Sequence, residues 1–200
     1  MALPPASPHR QLRHRRTLDV QVYDRGDGHW EVDARLSDVK TRDVRLANGI
    51  RAAGEPIHDM QLRLVIDEQM NILEAGSEGT WLPYPGQCDQ HGEAYGRLVG
   101  LNLMRGFRRE VQARVGGLQG CTHLTELAQV LPTAVIQAFA GDVIDTLGDG
   151  QHQPFQLDRC HALRTDGPAV LQHYPRWYRR PADAAEAPAH ADRSGADTPA

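Results

Sequence analysis

A chain of 200 residues with 40% hydrophobic and 6% aromatic side chains is long enough for one globular domain with a real core and ragged ends. Its net charge of −4 gives no electrostatic case for a nucleic-acid protein, and no apolar run approaches the ~20 residues of a membrane span. The basic N-terminus MALPPASPHRQLRHRRT lacks the apolar stretch of a secretory signal, and an odd count of three cysteines does not make a disulfide framework, so a cytoplasmic setting is expected.

Lys40 is the lone lysine among many arginines, which points to a GC-rich bacterial genome. Residues 1–16 mix Pro, Ala and Arg and are expected to be a mobile basic arm. Its cluster Arg13, His14, Arg15, Arg16 reads first as a solvated charge run and second as a contact for an acidic protein partner. Residues 17–24 alternate apolar and polar, as a half-buried strand does. Arg25-Gly26-Asp27-Gly28 is a turn, and residues 29–37 alternate again through Trp30, Val32, Ala34 and Leu36, completing a hairpin. Residues 38–55 are polar and predict a connecting loop, in which Asp38 and Lys40 read first as a solvated turn and second as a loop that reaches a site. A second hairpin follows. IHDMQLRLVID alternates through Met60, Leu62, Leu64 and Ile66, and NILEAGSEGTW returns after a turn at Glu68–Asn71. A proline-rich break, Trp81 to Gly86, then leads to Cys88.

The period changes in the second half. Residues 89–104 and 107–115 carry apolar residues at helical spacing, separated by Gly106. From Leu124 the stripe Leu127, Ala128, Leu131, Val135, Phe139 marks a helix packed on a core, with Pro132 expected to kink it. Residues 141–156 are loop-like, a short segment runs from Leu157 to Tyr178, and residues 179–200 are expected to be disordered. The prediction is one α+β domain over residues 17–178, an antiparallel sheet of two hairpins followed by helices on one face.

Each cysteine has a histidine within three residues: Cys88-x-x-His91, Cys121-x-His123 and Cys160-His161. His58-Asp59 adds an imidazole and a carboxylate to a strand-like run, where at most one of the two faces a given side. Thiolate, imidazole and carboxylate are the ligand types of zinc and iron–sulfur sites. The leading reading is therefore a metal-binding or cluster-handling domain, with zinc or an iron–sulfur cluster as cofactor. Cys88, Cys121 and one of His58 or Asp59 are its ligands, with His123 and Cys160 in reserve. The same groups are also those of a thiol nucleophile with its base. Gly116-Gly117-Leu118-Gln119-Gly120-Cys121-Thr122-His123 is a glycine-rich loop leading into a helix, with Thr122 as the expected N-cap. The helix macrodipole there favours a thiolate on Cys121. The rival reading is a thiol enzyme for acyl or sulfur transfer. Cys121 is its nucleophile, His123 or His58 its base, and the loop N–H groups its oxyanion donors. The third reading is a small-ligand or protein-binding module with inert cysteines. No standard catalytic motif is present.

The segments GEPIHDMQLRLVID, LPYPGQC, RLVGLNLMRGFRREVQARVGG, GCTHLTEL and DRCHALRTDGPAVLQHYPRWY together resemble the bacterial family catalogued as domain of unknown function 2889, over about residues 14–178. That resemblance implies a bacterial, cytoplasmic protein and assigns no activity. The order of hairpin, cysteine loop, helices and cysteine at a helix start is also similar to iron–sulfur cluster scaffold domains of the NifU N-terminal type. Pro56-Ile57-His58-Asp59-Met60, Cys88 and Cys121-Thr122-His123-Leu124 are the matching segments. His58 stands where that family has its first cysteine, and the insert before Cys121 is longer.

Overall fold

The computed structural model describes residues 3–181. The predicted tail from residue 182 onward lies outside the described residues. Two compact units divide the chain, Met1–Phe139 and Ala140–Ala200.

The first unit is an antiparallel four-stranded sheet with helices on one face. Strand β1 (His14–Asp24) pairs with β2 (His29–Lys40), and the turn between them holds Gly26 and Gly28 in the left-handed region that glycine tolerates. After β2 a small separate hairpin, β3 (Val44–Leu46) and β4 (Gly49–Arg51), fills what the sequence predicts as loop. Strand β5 (Pro56–Asp67) pairs with β2, and β6 (Ile72–Trp81) pairs with β5, giving the order β1-β2-β5-β6.

Alternation decides which residues meet. Val32, Ala34 and Leu36 of β2 and Leu62, Leu64 and Ile66 of β5 are buried on the inner face. Asp33, Arg35, Gln61 and Arg63 line an open polar depression of about 410 Å³ on the outer face, bridged by Arg63–Asp33 and Arg35–Asp59 ion pairs. The same alternation carries both hairpin strands past their apolar cores. β1 begins at His14, where the sequence suggests Thr17, and β2 runs on through Asp38 to Lys40. Polar residues hold these extensions, because they pair with one another across the strands.

Helix α1 (Phe107–Val115) buries Phe107, Val111 and Val115, and α2 (Thr122–Phe139) buries the predicted stripe and runs through Pro132. Helix α2 lies against β1, β2 and β5 and packs on α1. Each large side chain it buries contributes on the order of 1.5–3 kcal/mol. Where the spacing over residues 89–104 predicts a helix, residues 88–98 form 3₁₀ turns against β6. Gly92, Gly96 and Gly100 recur every four residues there and weaken any longer helix. Tyr95 and Leu98 of this segment are fully buried.

The second unit holds a short helix α3 (Pro168–His173) between 3₁₀ turns at His161–Leu163 and Pro175–Trp177. The Gln156 amide donates to the Thr146 carbonyl and the Tyr174 hydroxyl, and Asp158 accepts from the Thr165 N–H and hydroxyl. Among the described residues no helix is long and apolar enough to cross a membrane.

Candidate functional site

Strand register puts three polar residues in one row across the sheet. Arg16 of β1 is the Cα partner of Asp38 on β2, and Asp38 is the partner of His58 on β5. Asp38 is 3% exposed, in line with the buried Leu36, Ala34 and Val32 on the same face. A carboxylate at that depth requires partners. Oδ1 accepts from His14 Nε2 at 2.7 Å and from Arg16 Nε at 2.9 Å. Oδ2 accepts from a terminal nitrogen of Arg16 at 2.8 Å and lies 3.0 Å from His58 Nδ1. The guanidinium grips the carboxylate through two nitrogens, the geometry that makes arginine–carboxylate pairs strong.

The first turn of α2 crosses this row. Glu126 accepts from Arg16 at 2.6 Å and ties the helix to β1. His123, three residues earlier and so on the same helix face, stacks on His58 with ring centroids 3.8 Å apart. Its Nε2 lies 3.8 Å from Asp38 Oδ2, and its Nδ1 lies 3.8 Å from Cys121 Sγ. Cys121 Sγ also sits 3.9 Å from Met60 Sδ, one step along β5's inner face from His58.

Cys121 is held by its backbone. Its carbonyl accepts the first helical bond, from Thr125 N–H at 2.9 Å, so Cys121 occupies the N-cap position expected of Thr122. Its N–H donates to the Tyr95 hydroxyl at 3.0 Å. That hydroxyl lies 3.1 Å from Thr125 Oγ1, which donates to the Val115 carbonyl at 2.9 Å. Gly120 is required for contact rather than for rotation. A Cβ there would sit 2.4 Å from the Val115 carbonyl oxygen and 3.1 Å from the Tyr95 hydroxyl. The Cys121 N–H is therefore not offered to an oxyanion, whereas the next N–H groups of α2's first turn have no intrahelical acceptor.

Burial works against ionisation of Asp38, but the hydrogen bonds from Arg16 and His14, the Arg16 charge and the bond from His58 outweigh it. Together they hold its carboxyl well below the usual carboxylate range. Burial pushes the His58 imidazole below its ordinary value, Asp38 pulls it back, and the Arg16 and His14 charges add to the lowering. Burial also lowers His123, with the His58 and Arg16 charges acting in the same direction. Both rings therefore hold their neutral form more strongly than a free imidazole does. With Nδ1 of His58 turned to Asp38, its Nε2 is left free to accept.

Of the residues singled out from sequence, His58, Cys121 and His123 come together, and Asp38 gathers them. Asp59 turns to the outer face and is gripped by Arg35 at 2.7 and 2.5 Å, as alternation demands. Cys88 opens the 3₁₀ segment after the proline-rich turn, its N–H bonded to the Tyr84 carbonyl. The His91 side chain lies outside the described residues. Cys160 is an exposed residue of the second unit. Among the described residues, Asp38, His58 and His123 offer ligand-type atoms within 4.8 Å of one another. From sequence Asp38 reads first as a solvated turn, and His14 and Arg16 only as part of a basic arm. The signal for Asp38 was the alternation Val32, Ala34, Leu36 carried one step further.

The fold and the row together define an α+β domain with a histidine–carboxylate cluster under a helix start. The chain belongs to the family described as protein of unknown function (DUF2889), whose model matches residues 14–137. No curated protein and no solved structure matches it, so the likeness to iron–sulfur scaffold domains finds no support there.

Proposed function

We propose that the first unit is a thiol-dependent enzyme of the acyl-transfer class, with Cys121 as nucleophile, His123 as base and Asp38 as the group that orients the base. One observation carries this reading. Cys121 Sγ lies 3.8 Å from one nitrogen of His123, and the other nitrogen of that ring lies 3.8 Å from Asp38. Nucleophile, base and orienter thus stand in line, at the longer distances common before substrate binds. In the reaction the thiol proton passes to His123 Nδ1 as Sγ bonds to the carbonyl carbon. The carbonyl oxygen takes up the electron pair beside the first-turn N–H groups of α2. The leaving group departs with the proton that His123 returns.

The test is acylation by p-nitrophenyl acetate read by peptide mass spectrometry. The expected result is an acetyl group on Cys121, ahead of exposed Cys160, with about 10²-fold slower labelling in His123→Ala. Labelling of Cys160 in preference to Cys121, or no effect of His123→Ala, overturns the reading.

The convergence of Asp38, His58 and His123 favours a second reading, a zinc or iron site built from one carboxylate and two imidazoles. Against it stands Arg16, which already fills both oxygens of Asp38 and places a positive charge where a cation would bind. Metal analysis of untagged protein purified without oxygen decides it. Less than about a tenth of an equivalent of every transition metal ends this reading.

A further inference from the structure

Two sulfurs meet beside the Asp38 row. Met60 follows His58 on the inner face of β5 and is 2% exposed, and its Sδ lies 3.9 Å from Cys121 Sγ. His123 Nδ1 lies 3.8 Å from the same Cys121 sulfur. A thiol, a thioether and an imidazole thus converge where the first turn of α2 crosses β5. The other nitrogen of the His123 ring faces Asp38 Oδ2 at 3.8 Å. A proton on that nitrogen, turned to the carboxylate, leaves the Nδ1 lone pair toward the sulfur, as an outer carboxylate does for a metal-bound histidine. The spacing fits donors around one ion. Bonds of about 2.3 Å to sulfur and about 2.0 Å to nitrogen, opened to the wide angles of three-coordination, put sulfur and nitrogen about 3.7 Å apart and two sulfurs about 4.0 Å apart.

The donor types select the ion. Zinc draws on thiolate, imidazole and carboxylate, whereas thiolate with thioether is the soft set that suits copper(I). Charge points the same way. One thiolate cancels the charge of one monovalent ion, so the bound ion adds none to the Arg16 charge that His123 already feels, while a divalent ion leaves a net positive charge there. The set also leaves both oxygens of Asp38 to Arg16. We infer that Cys121, Met60 and His123 form a binding site for copper(I). Binding forms a copper–thiolate bond and releases the thiol proton to solvent, with no electron transferred. The inference goes beyond the thiol reading and does not rest on it. It needs only the convergence of the three side chains, and bound copper(I) blocks the sulfur that the thiol reading makes the nucleophile.

Copper(I), kept reduced by ascorbate under nitrogen and titrated into the whole chain against the chelator bathocuproine disulfonate, tests it. The expected result is about one equivalent held against the chelator, weakened at least about tenfold by Cys121→Ser and by Met60→Leu and unchanged by Cys88→Ser and Cys160→Ser. Met60→Leu keeps the core volume and removes only the sulfur donor. An unchanged iodoacetamide rate at Cys121 in the metal-free Met60→Leu variant checks that the site is still built. X-ray absorption at the copper edge of the wild type is expected to show two sulfurs and one nitrogen, which decides the matter even where a variant fails to fold. Equal affinity in Met60→Leu, a copper shell without a second sulfur, or retention lost with Cys88 or Cys160 overturns the inference. An ion held by Asp38, His58 and His123 is indifferent to Met60→Leu and so falls among these outcomes. Cys121 that takes the acetyl group but holds no copper(I) overturns this inference alone, and Cys121 that holds copper(I) but takes no acetyl group overturns the thiol reading alone.

Discussion

Asp38 is the residue on which the site depends. It is buried, ionised and shared among Arg16, His14 and His58. Asp38→Asn keeps the shape but removes the buried charge that Arg16, His14 and His58 share, leaving Arg16 only Glu126. Breaking a buried pair from one side is expected to cost about 3 kcal/mol in urea unfolding. A loss under 1 kcal/mol would show that the row is solvated and loosely held. Acid should act on the same residues in two stages. His58 and His123 are held below the ordinary ~6.5, so the unfolded chain binds protons before the folded one as pH falls, and stability drops from about pH 6.5 downward. Asp38 is depressed too. Its contribution is complete above the unfolded carboxylate value of ~3.9 and is lost below it, as pH falls toward the folded value. A urea midpoint unchanged between pH 7 and pH 5 contradicts the first stage. Little of this was legible residue by residue. Asp38 sits in SDVKT, which has the composition of a turn, and His14 and Arg16 sit in a basic run that resembles a tail. What places them is cross-strand register, which becomes explicit only when β1, β2 and β5 are aligned.

Elements were more legible than residues. Both hairpins and the two α-helices of the first unit followed from period and turn chemistry, because each has one buried face and a clear change of pattern at its ends. The 3₁₀ segment at residues 88–98 did not, since its apolar spacing suits a helix that its glycines disfavour. Tyr95 in that segment is the support of the α2 N-terminus. Its hydroxyl accepts from the Cys121 N–H and meets the Thr125 hydroxyl in a buried network. Tyr95→Phe leaves a backbone donor without a partner. It is expected to cost about 2 kcal/mol and to raise hydrogen exchange in the first turn of α2 more than in β5. Uniform exchange across both would show that the hydroxyl does not hold the turn.

At the scale of the molecule, the family match ends at residue 137 and the first compact unit ends at Phe139. A fragment ending at Phe139 retains the sheet, α1, α2 and the whole Asp38 row, and is expected to unfold in one cooperative urea transition. A fragment without a transition would show that the second unit is needed for the fold. The sequence reading drew a single domain over residues 17–178, because a polar, loop-like stretch at 141–156 reads equally as connection or as boundary. The central claim concerns a working line of Cys121, His123 and Asp38, and one measurement addresses it most directly. This is the rate of iodoacetamide modification of Cys121 at neutral pH, resolved from Cys160 by peptide mass spectrometry, in the wild type, His123→Ala and Asp38→Asn. The account predicts that half-buried Cys121 reacts about tenfold faster than exposed Cys160 and loses that advantage in both variants. Equal or slower reaction at Cys121 in the wild type, unchanged by either substitution, would contradict it.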